Sequence, residues 1–188
     1  MAVREIVTAG HPALRERSRE VEPAELRAPE TQALIDDLID TMRFAGGAGL
    51  AANQIAETAR IAVAEVQPGH PRYPYKPPIP LTVLVNPTIE PIGDQLVEIN
   101  EGCLSVPGLR GVLPRWLTIR VTYLDRAGEP HDEVKRGLTA GTFQHEIDHL
   151  DGILFLDRVT DPHTFMTWES FDRFHRDAFV AQVAALPT

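Results

Sequence analysis

His145-Glu146-Ile147-Asp148-His149 is the stretch on which the reading of this chain turns. It fits the pattern H-E-x-x-H, and its surroundings predict a helix capped by Thr139, running through Leu150 and stopped by Gly152. Residues i and i+4 of a helix share one face, about 5–6 Å apart at Cβ, so the two imidazoles can share one metal ion at roughly 2.0–2.1 Å each. Glu146 falls one residue round the helix, beside such an ion, where it can take a proton from water. The competing reading is a pair of solvated histidines on an acidic helix face, for the chain has other histidines, among them His131, His163 and His175.

Two histidines leave a metal site incomplete, since catalytic sites commonly use three protein ligands and keep one position open. One class of metallopeptidase extends the motif as H-E-x-x-H-x-x-G-x-x-H. Gly152 falls in register with that extension, but its last position is Phe155, which cannot bind metal. A second class draws its third ligand from a Glu on a later helix, and Glu169 stands twenty residues after His149 (169 − 149 = 20). Such enzymes usually work in a cleft between two sizeable parts of a longer chain. The third candidate is Cys103, in Glu101-Gly102-Cys103-Leu104-Ser105. A lone cysteine out of context reads as a small buried hydrophobe. Here Gly102 and Pro107-Gly108 place it in a kinked segment beyond a strand, where backbone can approach a ligand closely. A Cys/His/His set with one open position suits zinc or ferrous iron.

Working outward, His11-Pro12 opens a short helix, and an acidic loop punctuated by proline follows from Val21 to Pro29. From Glu30 the residues Leu34, Ile35, Leu38, Ile39 and Met42 recur at helical spacing, with Asp36, Asp37 and Asp40 on the other face, up to Gly46-Gly47. Strands are predicted at Arg60 to Val66, at Leu81 to Val85 closed by Asn86-Pro87, at Gln95 to Asn100, at Trp116 to Leu124 and at Pro130 to Leu138. Gln67 to Pro80 is dense enough in proline to read as an extended surface loop. After the apolar run Ile153 to Leu156, Asp161-Pro162 signals a terminal helix with Phe165, Trp168, Phe171, Phe174 and Ala178. The order helix, strands, helix, helix predicts an α+β fold: mostly antiparallel sheets packed around a central helix carrying H-E-x-x-H, with a C-terminal helix.

The bulk properties narrow the function classes. At 188 residues, with 43% hydrophobic and 24% charged, the chain is expected to form one domain over residues 1–188, not a disordered segment. A net charge of −9 disfavours general nucleic-acid binding and anionic lipid surfaces. One cysteine closes no intramolecular disulfide and builds no Cys-rich zinc site. No apolar run approaches the ~20 residues of a membrane span, and Met1 to Gly10 lacks the apolar core of a signal peptide. The expected setting is the cytoplasm.

Three separated segments resemble the motifs of one family, the peptide deformylases. Gly47-Ala48-Gly49-Leu50-Ala51-Ala52-Asn53-Gln54 is similar to the first, Glu101 to Ser105 to the second, and Gln144 to Gly152 (QHEIDHLDG) to the third. The resemblance also covers the opening residues and the segment Leu81 to Leu124. It implies a hydrolase that removes the formyl group from the N-terminal methionine of nascent polypeptides, giving formate. It implies Cys103, His145 and His149 as metal ligands and Glu146 as general base, then acid. Gln54 and the Leu104 N–H would face the developing oxyanion, and Ala48, Gly49 and Gly102 would meet the substrate. The implied cofactor is one divalent metal, Fe²⁺ in the cell, replaceable by Zn²⁺, Ni²⁺ or Co²⁺.

Two further expectations concern detail. Glu101 and Arg115 are expected to pair and orient the Cys103 segment. Ala140-Gly141-Thr142 stands where many relatives carry bulky apolar residues, in the segment that the resemblance assigns to the methionine pocket. The Pro-rich loop His70 to Pro80 has no function readable from sequence. Arg173, His175 and Arg176 give the terminal helix a basic cluster that either faces the ribosome at the peptide exit or is the polar side of a helix packed on the core.

Overall fold

The protein is described from a computed structural model covering residues 2–187. A 3-10 turn at Pro12–Arg15 leads to α1 (Pro23–Leu26) and α2 (Pro29–Phe44). Proline opens both helices, where its fixed φ suits the first turn and its missing N–H has no helical partner to lose. The expected Val21 to Pro29 loop therefore contains a turn of helix. Along α2, Ile35, Leu38, Ile39 and Met42 are buried at the spacing read from the sequence and join a cluster with Leu50, Ile61 and Val63.

Two antiparallel sheets follow. One has the order β1 (Gly49–Ala51), β2 (Ile61–Val66), β3 (Ile79–Pro91), β6 (Thr118–Leu124), β7 (Pro130–Arg136). The other has the order β4 (Leu96–Cys103), β5 (Val106–Trp116), β8 (Met166–Thr167). Helix α3 (Gly137–Leu150) packs against β1, β2 and β3 of the first sheet and against β4 and β5 of the second, so the H-E-x-x-H helix lies between them. Chain order then gives α4 (Phe155–Arg158), α5 (Trp168–Ser170), a π turn at Phe171–His175 and α6 (Arg176–Ala184). Among the described residues no helix is long and apolar enough to cross a membrane.

The α+β architecture is as expected, but several boundaries move for local reasons. Asn86-Pro87 does not end its strand. Asn86 takes a positive φ of 50° where the β3–β6 register shifts, and the strand continues to Pro91. Its side chain accepts from Val21 N–H and donates to Val21 C=O, both at 2.9 Å, which compensates the unusual backbone. Trp116 closes β5, a strand that Pro107, Gly108, Gly111 and Pro114 hide from sequence patterning. Thr139 is not the cap of α3: the helix begins at Gly137, after Arg136. It stops where expected, at Gly152, whose φ is +75° and where a Cβ would lie 2.6 Å from Arg15 C=O. The terminal helix starts at Trp168, not at Asp161, which instead caps a 3-10 turn. Phe165 precedes the helix, and Phe174 points outward, 66% exposed.

Phe143 of α3 is fully buried in the cluster of Ile119, Val121, Ile147 and Leu150 that fixes the helix against the larger sheet. Phe143→Ala should therefore cost about 3–5 kcal/mol of stability, read as a lower urea midpoint at unchanged slope.

Candidate metal centre and active site

Helix α3 is buried on nearly all sides, which removes the reading of His145 and His149 as solvated surface residues: Glu146 is 4% exposed, Asp148 7% and His149 1%. The last residue of β4, Cys103, reaches the same point. Its sulfur lies 3.2 Å from His149 Nε2, and the ligand atoms of Cys103, His145 and His149 all fall within 4.8 Å of one another. A tetrahedral ion with Zn–S near 2.3 Å and Zn–N near 2.0 Å needs S···N separations of roughly 3.5 Å, so the donor set fits a divalent cation. The alternatives for the third ligand separate cleanly. Glu169 is exposed on α5, outside this cluster, and Phe155 is buried in an apolar cluster with Leu14 and Leu154.

The surroundings shift the two imidazoles in opposite directions. Burial works against a proton on His145, but its hydrogen bonds to Cys103 and Glu101 outweigh burial and hold its pKa well above the usual value. Burial first, then the neighbouring His145 charge, push the His149 pKa well below the usual value. His145 Nδ1 lies 2.8 Å from Glu101 Oε2, which turns the opposite ring nitrogen toward the ligand cluster.

Behind the histidines runs a buried ionic chain. Arg115 donates to both oxygens of Glu101, at 2.7 and 2.9 Å, and to Asp148 at 2.5 Å; Asp148 also accepts from Arg158. The expected Glu101–Arg115 pair is formed. Burial alone would raise the Glu101 pKa, yet Arg115 and His145 overcome it and hold the carboxylate well below its ordinary range. Sequence reasoning does not single out Asp148, although it stands next to His149 and three residues, about one helical turn, after His145.

The remaining residues read from the motifs gather around the same centre. Gln54 donates from Nε2 to Ser105 Oγ at 3.1 Å and, at 3.6 Å, to the Cys103 sulfur, while its Oε1 accepts from Ala51 N–H. Ser105, fully buried and given no role from sequence, thus orients the Gln54 amide, and its own N–H donates to the Cys103 sulfur at 3.4 Å. Asn53 donates to His149 C=O, tying the end of α3 to the first motif. Ala48, Gly49, Gly102 and Leu104 line a cavity together with Cys103, His145 and Glu146. A Cβ on Gly49 would sit 2.3 Å from Glu146 Oε1, so the space a side chain would fill there holds the Glu146 carboxyl. Gly102 makes room for Trp168 and Arg110, at 3.2 and 3.3 Å from a virtual Cβ.

Glu146 is the candidate reactive group of this cavity. Its Oε2 is buried without a hydrogen-bond partner, and burial is the main cause that pushes its pKa up to about 7. A carboxyl held near neutrality both accepts and returns a proton. Gly141 and Thr142 line the cavity as the motif resemblance implies, but Ala140 is buried in the core behind α3. The segment Gln67 to Pro80, expected as an extended surface loop, instead folds through turns and lines the cavity with Tyr73, Tyr75 and Lys76.

Replacing Arg115 would strand two buried carboxylates. Arg115→Ala should cost about 3–5 kcal/mol in urea denaturation. It should also weaken metal retention by about 10–100-fold, measured by competition with a chelator.

The polypeptide deformylase family model matches residues 3–165. Peptide deformylase 2 of Nostoc sp. is 42% identical over 166 residues, 88% of this chain and 91% of the relative. Peptide deformylase 2 of Ralstonia nicotianae is 49% identical over 135 residues, 72% and 76% of the two chains. Among solved structures, the Met-Ala-Ser-bound class I type b peptide deformylase from Acinetobacter baumannii superposes with a TM-score of 0.80 at 35% identity, covering 84% of this chain and 99% of that one. The Thermotoga maritima peptide deformylase gives a TM-score of 0.75 at 32% identity, with 86% and 100% covered. With the match spanning all three segments that build the metal centre, the chain belongs to the polypeptide deformylase family.

Proposed function

We propose that residues 1–188 act as one catalytic domain that hydrolyses the N-formyl group of N-terminal formyl-methionine in nascent polypeptides, releasing formate. The observation that carries this reading is the convergence of Cys103, His145 and His149 beside the unpartnered Glu146 oxygen and the Gln54 amide. The Acinetobacter relative, solved with Met-Ala-Ser, supports a methionine-led peptide as the ligand class.

Cys103, His145 and His149 would hold the metal. When bound, a divalent cation supplies Lewis acidity, polarising a carbonyl and making water nucleophilic at neutral pH. Glu146 takes the proton from the attacking water and later returns it to the leaving amine. The Gln54 Nε2–H and the Leu104 N–H donate to the oxygen that becomes negative as the carbonyl carbon turns tetrahedral. A formyl carbon carries only hydrogen, so it enters a site whose walls Gly49 and Gly102 keep close, while larger acyl groups do not.

The metal in the cell is proposed to be Fe²⁺, with Zn²⁺, Ni²⁺ and Co²⁺ as substitutes, on the strength of the mixed thiolate and imidazole donors. Nascent chains place the work in the cytoplasm. Ribosome docking draws less support than packing on the core: Arg176 pairs with Asp172 at 3.1 Å, Arg173 lies over the Phe174 ring, and Phe171 and Phe179 of the same helical run are buried.

Freshly purified anaerobic protein should release formate from formyl-Met-Ala, and Glu146→Gln should lower kcat by about 10²–10⁴-fold with the metal content unchanged. Gly49→Ala should do similar damage at little cost in melting temperature, because the new methyl displaces only the movable Glu146 carboxyl. No formate from metal-loaded wild type would overturn the assignment.

Air should inactivate the iron-loaded enzyme faster than the nickel-loaded one, since a ferrous centre beside a thiolate invites oxidation. Equal decay of the two forms, followed by formate release over time, would refute iron as the sensitive species.

A further inference from the structure

The Pro-rich loop between β2 and β3 is organised around one side chain, His70. The loop turns first at residues 67–70, where His70 N–H donates to Gln67 C=O, and again at residues 73–76, where Lys76 N–H donates to Tyr73 C=O. Between the two turns, His70 Nδ1 accepts from the N–H groups of Arg72 and Tyr73, both at 3.3 Å. The imidazole also stacks on the Tyr73 ring, with centroids 5.2 Å apart and planes 25° from parallel. An uncharged imidazole whose Nδ1 accepts carries its proton on Nε2. Through that proton the ring donates to Gly47 C=O, in the turn that links α2 to β1.

Gly47 is a close neighbour of the site: a Cβ there would lie 2.9 Å from Leu104 Cδ1, and Gly47 lines the cavity together with Glu146. Farther along the loop, Lys76 Nζ donates to Thr142 Oγ1 of α3 at 2.8 Å. The loop is thus tied at two points, to the first motif by His70 and to the H-E-x-x-H helix by Lys76. The His70 tie exists in one protonation state, because a proton on Nδ1 turns the acceptor into a donor that faces two N–H groups. Arg72 and Lys76 of its own loop oppose that proton by charge. Arg43 of α2, paired with Glu65, and Arg176 of α6, paired with Asp172, share the same groove. Burial, then the Arg72 and Lys76 charges, hold the His70 pKa below its usual value against the pull of the Gly47 carbonyl. A depressed histidine pKa gives the tied loop its full support above the ordinary histidine range and withdraws it as pH falls through that range.

We propose that neutral His70 is a positioning residue, which holds the Pro-rich loop on the Gly47 turn, and that a proton on its ring releases the loop. His70 acts through the loop, which borders the cavity on one side and the open groove on the other. Release loosens that border, so KM for a formyl peptide rises. Glu146 and the three candidate ligands are held by α3 and β4, so kcat is retained. This kinetic consequence rests on the deformylation reading, whereas the titration of the ring stands apart from it.

In the zinc-loaded protein, which is diamagnetic, NMR can follow the His70 ring and the loop amides together from about pH 7.5 to about pH 5. The ring is expected to titrate below the ordinary histidine value of about 6.5, with the Arg72 and Tyr73 amide shifts following the same midpoint. In His70→Asn, Oδ1 takes the place of Nδ1 and accepts without titrating, so those amides should lose the midpoint. At neutral pH, His70→Ala should raise KM for formyl-Met-Ala by about tenfold, the effect of two lost acceptor bonds, with kcat within about twofold. His70→Asn should bring KM back to within about twofold of wild type. A ring midpoint at or above about 6.5, amides that do not follow it, an unchanged KM in His70→Ala, or a His70→Asn as impaired as His70→Ala would each overturn the proposal. If no formyl peptide is cleaved, the deformylation reading falls, and the ring and amide titrations alone decide whether His70 ties the loop.

Discussion

Arg115 is the constraint on which the site depends. Its guanidinium, 2% exposed, bridges Glu101 on β4 and Asp148 on α3, and so locks the smaller sheet to the helix that carries both histidines. Two carboxylates this deep would otherwise repel or take up protons, and either change would release His145, which leans on Glu101. Because Cys103 follows Glu101 by two residues on the same strand, the ion pair also sets where the thiol stands relative to the imidazoles. The geometry of the candidate metal ligands thus depends on a buried charge network behind them.

Around that frame the absence of side chains shapes the candidate site. Gly49 leaves a gap that the Glu146 carboxyl enters, and the low polarity there keeps the group near neutrality, able to work in both directions. Gln54 is aimed by three bonds, one from Ala51 N–H and one each to Ser105 Oγ and the Cys103 sulfur, so its amide is oriented before any carbonyl arrives. Catalysis of this kind relies on dipoles that need no reorganisation as charge develops.

The displaced boundaries share a cause. Proline and glycine read locally as ends of elements, yet in β3 and β5 they mark a bulge and irregular strand positions that distant residues hold in place. Val21 compensates Asn86 from 65 residues away, and Phe165 and Val159 crowd Gly111 from a part of the chain whose loops carry no periodic signal. Likewise the Pro-rich loop is not extended: it folds through turns closed by His70 N–H to Gln67 C=O and Lys76 N–H to Tyr73 C=O, and Tyr73, Tyr75 and Lys76 line the cavity.

What the sequence determined by itself is what local geometry transmits: the i, i+4 placement of His145 and His149, the apolar face of α2, the stop at Gly152, and the short list of groups able to complete a metal site. Only the tertiary structure brings Cys103, and not Glu169, beside the histidine pair. It alone brought Ser105, Asp148 and Lys76 into the site. Those choices rest on contacts between residues tens of positions apart, such as Cys103 with His149, and sequence spacing carries no information on which strand end will meet which helix face. Packing and buried charge settle that, and they exist only once the chain has folded.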